Sequence, residues 1–141
     1  MAERAILIVC QGNTCRSPMA EVIAKRLLQT KAHIESAGIA ASDSFPATKD
    51  AIKTMSEMGL DLSEHRSRDI GALELSNFTT FIAMTPLIAK ELAKMGVDHG
   101  KILELNVPDP YGRGVEEYRA TALKIEDELR SAFGSVQQDE Q

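Results

Sequence analysis

The run Ala5-Ile6-Leu7-Ile8-Val9 constrains this 141-residue chain more than any other stretch. Its central residues are aliphatic and mostly β-branched, which favours a strand. No polar residue alternates with them, so such a strand must be covered on both faces, as in a parallel sheet between helices. The run stops at Cys10-Gln11-Gly12-Asn13-Thr14-Cys15-Arg16-Ser17. Pro18 then suits the first turn of a helix, where a missing N–H costs nothing. The reading is a strand, a polar loop and a helix in immediate succession.

A loop at a helix N-terminus presents unpaired N–H groups and the positive end of the helix dipole, so it attracts anions. A cysteine facing such a loop is expected as thiolate, the reactive form. Arg16, six residues after Cys10, can hold two oxygens of a phosphate-like group with its planar fork. Cys10 and Arg16 are therefore the candidate nucleophile and its oxyanion clamp.

The remaining chain alternates strands and helices. Apolar residues Ala20, Ile23, Ala24, Leu27 and Leu28 share one face of a helix over 18–29. A short strand covers 33–38, followed by a small, polar loop. Pro46 is expected to open a second helix carrying Ala51, Ile52, Met55 and Met58, with Gly59 as its left-handed cap. Residues 60–68 read as an ordered loop and 70–75 as a short helix. A strand at 79–84 leads to Thr85-Pro86, an N-cap and first-turn proline, and to a helix closed by Gly96. The fourth strand is 101–105, and 106–114 is a loop with two prolines. Tyr118, Ala122, Ile125, Leu129 and Phe133 stripe a last helix that Gly134 is expected to stop, leaving 135–141 as a disordered tail. The connections are too long for hairpins, so the class is α/β: one domain, a four-stranded parallel sheet with helices on both faces, doubly wound in the flavodoxin-like manner. Ligands in such sheets bind beyond the carboxyl ends of the strands.

The net charge of −5 gives no reason to expect nucleic acid or an anionic membrane surface as a partner. No apolar run approaches the ~20 residues of a membrane span. The strand begins almost at Met1, which leaves no room for a signal peptide, and two cysteines five apart make no disulfide framework. A cytoplasmic location and a monomer are expected. Three scattered histidines offer no ligand spacing, so no metal or other cofactor is expected.

The stretch from Cys10 through Arg16-Ser17-Pro18-Met19-Ala20-Glu21 resembles the signature loop of the low-molecular-weight protein tyrosine phosphatases. Ser36-Ala37-Gly38, the segment His65-Arg66-Ser67-Arg68 and Asp109-Pro110-Tyr111 follow in the family's order, and the match in layout covers 1–134. The resemblance implies a phosphoprotein phosphatase in which Cys10 attacks phosphorus and becomes a phosphocysteine. It implies that Arg16 clamps the equatorial oxygens and Ser17 donates its hydroxyl to the thiolate. Asp109 would protonate the leaving group and then deprotonate the attacking water. Gln11, Gly12, Asn13, Thr14, Cys15 and Ser17 would form the phosphate loop, with Asn13, Ser36 and His65 as a supporting network. Cys15 is either a second cysteine able to pair reversibly with Cys10 or a small buried loop residue.

Substrate preference would be set by Thr14, Ala40 and Tyr111. Tyrosine-directed members usually carry a bulky aliphatic residue where this chain has Thr14, and the bacterial protein arginine phosphatases resemble it in having threonine. Tyr111 can form one aromatic wall, whereas Ala40 stands where the opposite wall is often aromatic. The reading favours phosphotyrosine on proteins, with phosphoarginine as the alternative. An arsenate reductase of this fold would need downstream cysteines, and none follows Cys15. A non-catalytic phosphate-binding module would be expected to have lost Cys10 or Asp109. A nucleotide-binding loop would need Gly-Lys-Ser/Thr after its first glycine.

Overall fold

The structure is a computed structural model that describes residues 4–29 and 31–139, with side chains as far as 134. Strand β1 (Arg4–Cys10) is followed by α1 (Arg16–Leu28), β2 (Ala32–Gly38) and α2 (Lys49–Glu57). Two short 3₁₀ turns (Ile70–Ala72 and Leu75–Asn77) precede β3 (Thr80–Ala83) and α3 (Pro86–Lys94). A third turn (His99–Lys101) leads into β4 (Ile102–Glu104), and α4 (Val115–Asp139) ends the chain. The four strands are all parallel, in the order β2-β1-β3-β4.

This order explains the aliphatic run. β1 lies inside the sheet, and successive side chains of a strand point to opposite faces. Ile6 and Ile8 join the core with Met19 and Ile23 of α1, Met55 of α2, and Tyr118, Ile125 and Leu129 of α4. Leu7 and Val9 join a second core with Phe81, Phe78, and Ile88 and Leu92 of α3. Helices therefore cover both faces, and 6–9 are buried whichever way they point.

The chain leaves β1 for β2 on one side, then returns past it to β3 on the other. The crevice at that reversal lies outside the carboxyl ends of the strands. The loop after β1, the loop after β2 and the loop after β4 meet there, as expected from the alternation.

Three local expectations need correction. The second helix begins at Lys49, not Pro46, because the Thr48 hydroxyl accepts the Ala51 N–H at 3.3 Å and caps it. Residues 70–75 form no α-helix: Ile70–Ala72 is a single 3₁₀ turn, and Leu75 begins the next one. The Asp69 carboxylate caps the first through the Gly71 N–H. The last helix does not stop at Gly134 but runs through to Asp139. One glycine in a helix interior costs only about 1 kcal/mol relative to alanine, too little to end a helix anchored by Tyr118, Ile125, Leu129 and Phe133. Residues 140 and 141, the end of the expected tail, lie outside the described residues. Gly59 and Gly96 do follow their helices with φ of 79° and 95°.

A Cβ added at Gly134 meets no atom within 4 Å. Gly134→Ala is therefore expected to stabilise the protein by about 0.5–1 kcal/mol, read from chemical denaturation. A loss of stability would mean that the helix ends there in a left-handed cap.

Candidate active site

The polar loop between β1 and α1 is wound around Asn13. Its backbone takes φ 57°, a left-handed conformation that asparagine tolerates better than most residues. Each of its polar groups is used. The backbone N–H donates to Cys10 Sγ at 3.3 Å, and Nδ2 donates to Ser17 Oγ at 2.8 Å and to Ser36 Oγ at 3.0 Å. Oδ1 accepts the Arg68 N–H at 3.0 Å, and the backbone carbonyl accepts His65 Nε2–H at 2.8 Å. Burial lowers the His65 pKa below its ordinary value, which keeps the ring neutral and its Nε2–H available to that carbonyl.

This arrangement aims the next hydroxyl. Ser17 Oγ accepts from Asn13, so its own proton is left for Cys10 Sγ, 2.8 Å away. The sulfur therefore faces two donors, the Ser17 hydroxyl and the Asn13 N–H, and both favour an anion. Cys15 differs sharply. It is buried, close to Tyr118, and burial pushes its thiol up to about 12. Of the two cysteines, Cys10 is the one surrounded by donors.

A recess of about 290 Å³ opens over the loop, lined by residues 10–16 together with Asp109 and Tyr111. Arg16 is almost wholly buried beside it and donates through Nη1 to the Val107 carbonyl at 3.0 Å. Its Nη2 lies 4.0 Å from Asp109 Oδ2. Asp109 itself is half-exposed, and its Oδ1 accepts the Tyr111 N–H at 3.0 Å. A buried cation, a cysteine with two donors and a half-exposed carboxylate thus share one opening, which suits binding a dianion and exchanging a proton above it.

The expected residues assemble unevenly. Cys10, Gln11, Gly12, Asn13, Thr14, Cys15, Arg16, Asp109 and Tyr111 line the recess. Ser17, Ser36 and His65 form the network behind it. Ala40 does not line it: its N–H donates to the Gln11 carbonyl at 2.9 Å, so it touches the loop through backbone.

Further residues, given no role above, also support the loop. Glu21 Oε1 accepts the Ser36 hydroxyl at 2.5 Å, extending the network to α1. The Thr48 N–H donates to the Thr14 carbonyl at 2.9 Å, and the Thr48 hydroxyl donates to Tyr118 at 3.2 Å. The Val107 carbonyl is a backbone group, which no residue type could announce. Gly38 sits where a Cβ would lie 2.5 Å from the Gln11 carbonyl and 2.9 Å from Ala41 Cβ.

Fold and site together define a phosphatase of the low-molecular-weight type. The family model for low molecular weight phosphotyrosine protein phosphatase matches residues 5–141, and the chain belongs to that family. It is 34% identical over 130 residues to a probable low molecular weight protein-tyrosine-phosphatase, EpsP, of Ralstonia nicotianae, covering 87% of this chain and 89% of that one. It is 29% identical to a protein-arginine-phosphatase of Bacillus subtilis, over 95% and 97% of the two chains. Among solved structures, the low molecular weight protein tyrosine phosphatase of T. tengcongensis superposes with a TM-score of 0.85 at 32% identity, covering 94% of this chain and 99% of the other.

Gly38→Ala is expected to push β2 away from the loop and to cost about 1–3 kcal/mol of stability. Phosphate affinity should fall with it, measured by calorimetric titration. Unchanged stability and affinity would show that the loop can give way without loss.

Proposed function

We propose that the protein hydrolyses phosphotyrosine on proteins through a phosphocysteine intermediate. The observation that carries this reading is Cys10 Sγ held at 2.8 Å from the Ser17 hydroxyl, on the floor of a recess shared with Arg16 and Asp109. In the first step Cys10 Sγ bonds to phosphorus as the bond to the tyrosyl oxygen breaks. Asp109 gives that oxygen a proton, which matters because a phenol has a pKa near ~10 and leaves poorly as an anion. Arg16 and the loop N–H groups hold the three equatorial oxygens as charge spreads over them. In the second step Asp109 takes a proton from water, water oxygen bonds to phosphorus, and the sulfur leaves as thiolate toward the Ser17 hydroxyl and the Asn13 N–H.

The catalytic residues on this reading are Cys10, Arg16 and Asp109, within a unit spanning 1–134. Asn13, Ser36 and His65 hold the loop, and the substrates are cytoplasmic phosphoproteins. No metal or other cofactor has a part in either step. Both cysteines of the chain lie in the loop, so no further thiol could relay an oxidation as an arsenate reductase requires.

A second reading, phosphoarginine as substrate, draws support from the walls of the recess. Among the described residues Tyr111 is the one aromatic lining it, Ala40 is not part of the lining, and Thr14 offers a hydroxyl where an aliphatic side chain would pack on an aromatic ring. The relative named for arginine makes the comparison worth measuring.

Asp109→Ala should slow turnover of poor leaving groups by about 10²–10⁴ while affecting activated aryl phosphates far less. An equal loss for both would remove the acid role. Thr14→Ile should raise the ratio of kcat/KM for phosphotyrosine over phosphoarginine on matched peptides. An unchanged ratio would take Thr14 out of substrate selection.

A further inference from the structure

Two concavities larger than the recess lie away from it, on the two flanks of β4. One, of about 670 Å³, runs between β4 and α3 and is lined by Ala89, Lys90, Ala93, Lys94, His99 and Ile102, with Pro86 and Glu104 at its ends. The other, of about 450 Å³, lies between β4 and α4 and is lined by Leu103, Leu105, Asp127, Glu128 and small residues. Between them runs the open edge of the sheet, because β4 is its last strand.

The backbone of that edge can be followed group by group. The Leu105 N–H turns inward to the Ala83 carbonyl at 2.8 Å. The next N–H, of Asn106, turns outward and donates to Glu128 Oε1 at 3.2 Å. Directions alternate along a strand, so the N–H and C=O of Glu104 and the C=O of Ile102 also face outward. The opposite edge of the sheet is more closed. The Arg68 carbonyl accepts the Gly38 N–H at 3.0 Å, and Arg68 Nε donates to the Ser36 carbonyl at 3.1 Å, which covers the upper part of β2.

The two flanks carry opposite charge. On the α3 side Lys90 and Lys94 are exposed, with Lys94 paired to Glu91 at 3.3 Å and only Glu104 opposing them in the groove. On the α4 side stand Asp127 and Glu128, and Glu128 Oε2 is buried without a hydrogen-bond partner among the described residues. A second copy is poorly suited to this edge. Antiparallel pairing about a twofold axis normal to the sheet would set lysines against lysines and carboxylates against carboxylates.

We propose that the open edge of β4 is a docking site for an extended segment of a partner protein, added as a fifth strand. Its side chains alternate between the two grooves. Those on the α3 side are acidic and meet Lys90 and Lys94. Those on the α4 side are basic and meet Asp127 and the unpartnered oxygen of Glu128. The proposal is independent of the chemistry at Cys10.

The test uses the full chain and a fluorescein-labelled synthetic peptide of alternating glutamate and lysine, with a control of the same composition in two blocks. Fluorescence anisotropy is expected to show the alternating peptide binding at least about tenfold more tightly. The double change Lys90→Glu and Lys94→Glu should remove that advantage, while turnover of a small aryl phosphate stays at the level of the parent chain. Amide shifts in an NMR titration should centre on 102–106. Equal binding of the two peptides, indifference to the charge reversal, shifts centred elsewhere, or a concentration-dependent dimer formed through this edge would each overturn the proposal.

Discussion

The site depends on one residue in a backbone conformation that few side chains accept. Asn13 at φ 57° turns the loop so that successive N–H groups can converge above β1. The conformation is held because all four polar groups of one residue are engaged, in five hydrogen bonds with partners from β1, α1, β2 and the 65–68 segment. A buried polar group without a partner costs about 1–3 kcal/mol, so any alternative loop shape would strand several at once. Loop geometry and the packing of three separate elements are therefore one property. Gly38 belongs to the same constraint, since β2 can approach the Gln11 carbonyl only without a Cβ.

From this follows the difference between two thiols five residues apart. Cys10 ends β1 under the loop donors, whereas Cys15 points into the core beside Tyr118. Burial disfavours the charged form of Cys15, while Cys10 Sγ sits against the Ser17 hydroxyl and the Asn13 N–H. The same residue type thus acquires two chemistries from which side of one loop it faces. Tyr118 ties this region to the rest of the fold, because its hydroxyl accepts from Thr48, and Thr48 also caps α2 and holds the Thr14 carbonyl.

Much of this was legible in the residues, for reasons that differ from place to place. The run Ala5-Ile6-Leu7-Ile8-Val9 announced a strand buried on both faces because no polar residue interrupts it, and β1 is that strand. The stripe from Tyr118 to Phe133 announced α4 through its spacing, and all five stripe residues are buried. The end of α4 was misread because glycine was given the weight of a stop signal, when tertiary packing outweighs its small intrinsic cost. The start of α2 was misread because Pro46 and Thr48 both carry helix-start signals, and the hydroxyl that reaches Ala51 decided between them. At the site, residue types pointed to Cys10 and Arg16 and the family resemblance added Asp109, but neither told that Ala40 engages the loop through its backbone or that Arg16 grips Val107. Backbone contacts depend on where the chain passes, which side-chain pattern does not encode.

The Arg16 contact carries a consequence for how the parts act together. Its guanidinium is a planar fork, and Nη1 is committed to the Val107 carbonyl, two residues before Asp109. Nη2, 4.0 Å from Asp109 Oδ2, is the arm that faces the recess. An arriving dianion would compete with the Asp109 carboxylate for that arm and would draw the charge-assisted bond to itself. Asp109 would then be released from the cation. On the mechanism proposed above, substrate binding and the freeing of Asp109 become a single exchange of partners on one arginine. The tether to Val107 keeps the acid loop within reach while that exchange takes place.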